Sequence, residues 1–152
     1  MNPIKFVVLG SSLVASAAVF MNWISFKGEL PKLLADLPVT GMQNGGPIFL
    51  FFLGLAVIAG AIGAARRFGR GLAVLALVGA LCSTLLGILK WGDISDATKS
   101  AEQLGGLVEL SIAPGYWIFF LGSLVAFVAS IAGLVKPEKA PAPAKLGTAA
   151  TA

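Results

Sequence analysis

Four long apolar runs dominate the pattern of hydrophobic and polar positions: Ile4–Ile24, Pro47–Ala65, Gly71–Leu89 and Tyr116–Val135. Each holds about 20 residues, which as an α-helix extends about 30 Å, the thickness of a bilayer's hydrocarbon core. Strands that cross a bilayer need only about ten residues, alternating in polarity. None of the four runs alternates. The pattern predicts an all-α membrane protein: a bundle of four transmembrane helices over residues 1–136, followed by a disordered tail over 137–152. That tail sets Pro137, Pro141 and Pro143 among Ala and Lys, a composition suited to an extended, solvated segment.

Charge placement adds a direction. Lys5, Arg66, Arg67, Arg70, Lys136, Lys139 and Lys145 flank one set of run ends, whereas Lys27, Lys32, Lys90 and Lys99 are spread over longer loops at the other. Cytoplasmic flanks are the ones enriched in Lys and Arg, so both termini and the Arg66–Arg70 turn are expected inside. Arg66, Arg67 and Arg70 are read as topology determinants. Trp23, Trp91, Tyr116 and Trp117 all fall at the opposite, external run ends. Amphipathic rings favour the headgroup level, so these four are expected to form an outer interface belt.

The first run carries a second reading. Met1–Lys5, an apolar stretch and then Ala15-Ser16-Ala17 also fit a signal peptide with a small-residue cleavage site. The run stays apolar through Ile24, which favours a retained helix.

The connections are unequal. The Arg66–Arg70 turn is tight enough to make the second and third helices antiparallel neighbours, while Ser25–Gly46 and Lys90–Gly115 form two long external loops. Pro31–Leu37 has the pattern of a short surface helix carrying Leu33, Leu34 and Leu37. Asp96 is placed to cap a helix running to Leu104 and ending at Gly105, and Leu107–Ile112 is a weak candidate for extended chain. A gapless shift of 68 residues carries Trp23 onto Trp91, Phe51-Phe52-Leu53-Gly54 onto Phe119-Phe120-Leu121-Gly122, and Val57 onto Val125. It suggests two repeated helical hairpins.

Lipid removes most of the hydrophobic drive between helices, so packing depends on close backbone approach. Small residues recur at four-residue spacing in every run: Ser12 and Ser16; Ala56, Gly60 and Ala64; Gly79, Ser83 and Gly87; Gly122, Ala126 and Ser130. They are the candidate helix-packing residues, within one chain or in a homo-oligomeric seam.

Composition then narrows the chemistry. Charged residues make up 12% of the chain, half the share of an ordinary soluble domain, and Gly supplies 19 positions. No His is present and the lone Cys82 lies in an apolar run, so His acid–base chemistry, a His metal site and an intrachain disulfide are all excluded. The central parts of the four runs contain no Asp, Glu, Lys or Arg, the usual marks of proton relays and ion-coupled transport. Asp93, Asp96, Glu102 and Glu109 in the second external loop read as ordinary solvated carboxylates. Basic residues are too few for a nucleic-acid surface. No cofactor, metal or catalytic residue is expected.

Four helices, two external loops, a tight basic turn and a cytoplasmic tail resemble the tetraspan class that includes claudin-like proteins. The resemblance covers the chain as topology only. The first loop has no Cys, so the claudin signature of Gly-Leu-Trp followed by two Cys is missing and tight-junction function is not implied. The plan is more similar to that of small bacterial four-helix membrane proteins. It implies residence in a bacterial plasma (inner) membrane. The functional expectation is a non-enzymatic structural or accessory subunit, a scaffold meeting a protein partner or its own copies in the bilayer. The alternative is an oligomeric channel or small-molecule permeability protein.

Overall fold

The computed structural model describes residues 3–27, 38–103 and 109–138. Its elements are helix α1 (Ile4–Ala18), strand β1 (Ile24–Lys27), helix α2 (Gly46–Ala65), helix α3 (Arg70–Gln103), strand β2 (Glu109–Ile112) and helix α4 (Pro114–Val135). The chain is mostly helical. α1 packs against α2 and α4, and α3 packs against the same two helices, which sets α1 and α3 diagonally across the bundle. β1 and β2 pair antiparallel, Ile24 opposite Ile112 and Lys27 opposite Glu109, and so tie the two long loops together at one end. We call this the ribbon end; the Arg66–Gly69 connection marks the turn end.

α2, α3 and α4 are each long and apolar enough to cross a membrane, whereas α1 is a shorter apolar helix of 15 residues. The first apolar run thus does not form one helix to Ile24. It breaks at Ala18, turns through Val19–Trp23 and enters β1. The break is stabilised locally: the Trp23 indole Nε1 folds back to donate to the Ala18 carbonyl at 3.0 Å, which also accepts from Met21 N at 3.1 Å. The backbone N–H groups of Trp23 and Ile24 donate to Val39 O. The all-helical expectation is corrected by this ribbon, of which Glu109–Ile112 realises part of the extended segment foreseen at 107–112.

α3 departs from expectation in the other direction. Its 34 residues, about 51 Å, continue well past Leu89 without a break. Asp96 caps nothing, because it sits inside the helix. Ion pairs Lys90–Asp93 (2.7 Å) and Asp96–Lys99 (3.8 Å), spaced one turn apart, accompany the continuation. So do Ile94 and Ala101, which keep one stripe of the extension buried beside Ile24 and Leu110. The surface helix foreseen at 31–37 and the stop foreseen at Gly105 lie outside the described residues.

Proline and glycine set the other helix starts. Gly45 adopts a left-handed φ of 103° before α2, and Pro47 and Pro114 occupy the first turns of α2 and α4. Pro has no N–H to leave unpaired there. Beyond Leu53 the usual size rule inverts along α2. It buries Ala56, Ala59, Gly60 and Gly63 while Ile58 and Ile62 face outward.

The gapless 68-residue shift does not match the buried faces throughout. Under the 68-residue shift Phe51 and Phe119 are not equivalent: Phe51 is 64% exposed and Phe119 fully buried. The buried stripe of α1 (Lys5, Val8, Ser12, Ala15) does map at 68 onto that of α3 (Ala73, Ala76, Ala80, Ser83). The stripe of α2 (Phe49, Leu53, Ala56, Gly60, Gly63) maps at 70 onto that of α4 (Phe119, Ser123, Ala126, Ser130, Gly133).

Gly79 is where helix approach is tightest. A Cβ there would overlap the Phe52 carbonyl of α2 and come within 3.2 Å of Ala56 N, whereas Gly54 faces open space. Gly79→Ala should therefore destabilise the protein by about 1–3 kcal/mol. Gly54→Ala should be neutral or stabilising by up to about 1 kcal/mol through helix propensity. Thermal unfolding in a mild detergent reads both, and equal behaviour of the two variants would contradict this packing.

Candidate functional site: the two closed ends of the bundle

At the ribbon end the site is aromatic. Trp23 is fully buried, with ring centroids 4.9 Å from Phe119, 5.3 Å from Phe49 and 5.6 Å from Tyr116. Phe49 and Phe119 meet edge to face at 4.9 Å. Rings in such tilted arrangements gain about 1 kcal/mol per pair beyond the area they bury. Gly41 lies flat on the indole, and any side chain there would overlap it. Tyr116 donates its hydroxyl proton to Gly87 O at 3.0 Å, linking α4 to α3 inside the bundle.

This arrangement changes the reading of the outer belt. Trp23 and Tyr116 belong to the core, because their polar atoms find backbone carbonyls and need no headgroup. Only Trp91 and Trp117 remain at the surface, 38% and 44% exposed and 5.4 Å apart. With Ile88, Tyr116 and Phe120 they line an open cleft of about 270 Å³.

The turn end is closed by Phe68, which is also fully buried. Its ring fills the space above two glycines: a Cβ on Gly63 would overlap it, and one on Gly133 would come within 2.6 Å. Glu138 then locks the turn. Its Oε2 accepts from Phe68 N at 3.1 Å and from Lys5 Nζ at 3.3 Å, while its own N–H donates to Phe68 O at 3.4 Å. One carboxylate thereby joins the start of α1, the α2–α3 turn and the segment after α4.

Lys5 is 5% exposed. A charge expected to mark topology is thus also half of a sheltered ion pair. Glu138, expected in the tail, belongs to the folded part, so the boundary after Lys136 falls too early; residues 139–152 lie outside the described set. Sequence reasoning missed this clasp because its partners are separated by 133 and 70 positions. The one available signal was an acidic residue directly after the last apolar run, where basic residues otherwise gather. Arg66, Arg67 and Arg70 are exposed.

The candidate packing residues face the chain's own interior. Ser12, Ala56, Gly60, Gly79, Ser83, Gly87, Ala126 and Ser130 are buried, and Ser16, Ala64 and Gly122 are half-buried. A Cβ on Gly60 would touch Leu9 of α1 at 3.0 Å. Between α1 and α4 the outer surface carries an apolar groove of about 430 Å³, lined by Ile4, Val7, Val125 and Val128 among others.

The carboxylates of the ribbon end do not converge. Asp93 and Asp96 pair with lysines on their own helix, and Glu109 lies opposite Lys27 in the ribbon. Among the described residues no cluster of three or more His, Cys, Asp or Glu is placed to hold a metal. No known family, characterised protein or solved structure matches the chain.

Glu138→Ala should lower stability by about 2 kcal/mol, since it strands Lys5 and the Phe68 amide together. Lys5→Met combined with Glu138→Gln should recover part of the loss. Thermal unfolding of the three proteins decides this; a silent Glu138→Ala would show the clasp to be unimportant.

Proposed function

We propose that the chain is a non-enzymatic scaffold or accessory subunit of a membrane assembly. In this reading all four helices lie in the bilayer of a bacterial plasma membrane, the turn end is cytoplasmic, and a protein partner or further copies of the chain pack alongside. The observation that carries it is the closure of both bundle ends. Trp23, Phe49, Tyr116 and Phe119 fill one, and Phe68 with Lys5 and Glu138 fills the other. A bundle held shut at both ends acts through its outer surface. That surface consists of apolar helix faces, the Trp91–Trp117 cleft and the polar side of the α3 extension.

Several features support the finer points. α1 alone extends about 22 Å, but the turn after it is buried at Val19 and Trp23, so the apolar layer continues to the ribbon. Exposed Arg66, Arg67 and Arg70 at the turn end agree with the positive-inside rule. The matched buried stripes support an origin by hairpin duplication, with two residues more between the second pair of helices than between the first. A tetraspan plan of the loosely claudin-like kind remains a likeness of layout.

Purification of the tagged full chain from native membranes in mild detergent tests the proposal. A stoichiometric protein partner, or a defined homo-oligomer, is the expected result; a lone monomer overturns it. Because both ends of one bundle are closed, a permeation path would have to run between chains. Solute flux through liposomes carrying the purified protein would favour that alternative.

A further inference from the structure

The helices of this chain treat their hydroxyl groups in two ways. Ser11, Ser16, Thr84, Thr98, Ser100 and Ser130 each donate to the carbonyl four residues earlier, at 2.6 to 2.8 Å. That is how a helix in an apolar setting satisfies a Ser or Thr with its own backbone. Ser12, Ser83 and Ser123 do not: their Oγ atoms are buried and have no hydrogen-bond partner, and all three residues are fully buried.

These three belong to α1, α3 and α4, yet they share one depth. Gly122 lies against Ser11 and Ala15, which puts Ser123 at the depth of Ser12. Gly87 lies against Phe119 and Phe120, so one turn deeper on both antiparallel helices Ser83 comes level with Ser123. The layer separates two apolar clusters. On the ribbon side are Ala15, Leu53 and Phe119 with the Trp23 group; on the turn side are Val8, Ala56 and Ala76 with Phe68.

A buried hydroxyl left unpaired destabilises the fold, and Ala would fit each position without that cost. Buried waters typically take 2–4 hydrogen bonds from otherwise unsatisfied polar groups. We propose that Ser12, Ser83 and Ser123 together hold an internal water molecule at the mid-depth of the bundle. The site is built from three helices and sealed by the aromatic cluster on one side and by Phe68 on the other. The water joins α1, α3 and α4 through one node, and its hydroxyl partners complete the hydrogen bonding of the layer.

The experiment combines structure and stability. A structure of the wild-type protein at a resolution that shows ordered water should place one within hydrogen-bond reach of the three Oγ atoms. The Ser12→Ala/Ser83→Ala/Ser123→Ala variant should lack it. Thermal unfolding should show each single Ala variant melting below wild type. The triple variant should lose less than the three single losses added together, since with all three gone no polar atom is left unpaired. Ser130→Ala, which removes a hydroxyl bonded to its own helix, is the control and should change little. Hydroxyls rotated onto the carbonyls of Val8, Gly79 and Phe119 around a dry core would overturn the proposal. Single Ala variants that melt at or above wild type would do the same.

Discussion

Every other feature of this fold depends on how closely the helix backbones approach one another. Helices as apolar as these gain little from hiding hydrophobic side chains when the surroundings are themselves hydrocarbon. What remains is dispersion between well-fitted surfaces, which falls away steeply with any gap. Gly79 resting on the Phe52 carbonyl, Gly60 on Leu9 and Gly122 on Ala15 are the places where that fit is made. Large side chains such as Phe51, Ile58 and Val128 are turned outward, where size costs nothing and lipid supplies the contacts.

Close approach of small residues leaves the two ends to be filled by larger groups. The two ends use different chemistry. The ribbon end uses ring area, and its polar indole and phenol groups are absorbed by the carbonyls of Ala18 and Gly87. At the turn end a single ring, Phe68, is set on glycines, and a carboxylate gathers the donors around it. Phe68 could not sit there if Gly63 or Gly133 carried a side chain. The seam glycines and the plug are therefore one requirement, met by residues far apart in sequence.

The sequence made some of this legible and hid the rest for identifiable reasons. Run length and composition located α2 and α4 closely, because a long stretch without charge has few alternatives to a helix. They misplaced the end of α1 because Val19–Ile24 is as apolar as a helix would be. What ends α1 is the fit of Trp23 among Phe49, Tyr116 and Phe119, a tertiary event. They ended α3 too early because hydropathy falls at Lys90, whereas helix propensity and a buried stripe at Ile94 and Ala101 do not. The clasp was hidden because Lys5 already had a sufficient explanation as a flanking charge.

The same comparison bears on function. Trp23 and Tyr116 were expected at the surface, as part of a rim that meets lipid or a partner. Their burial moves half of that rim into the machinery that closes the bundle, leaving Trp91 and Trp117 as the aromatic residues with faces to offer. Among the described residues, rings fill the interior at one end and an ion pair clasps it at the other. Under the proposed role, recognition falls to the outside. There the chain offers apolar helix faces, one aromatic cleft and a helix that runs on beyond its apolar segment, carrying the Lys90–Asp93 and Asp96–Lys99 ion pairs. A closed interior with a varied surface is what the proposed scaffold role requires.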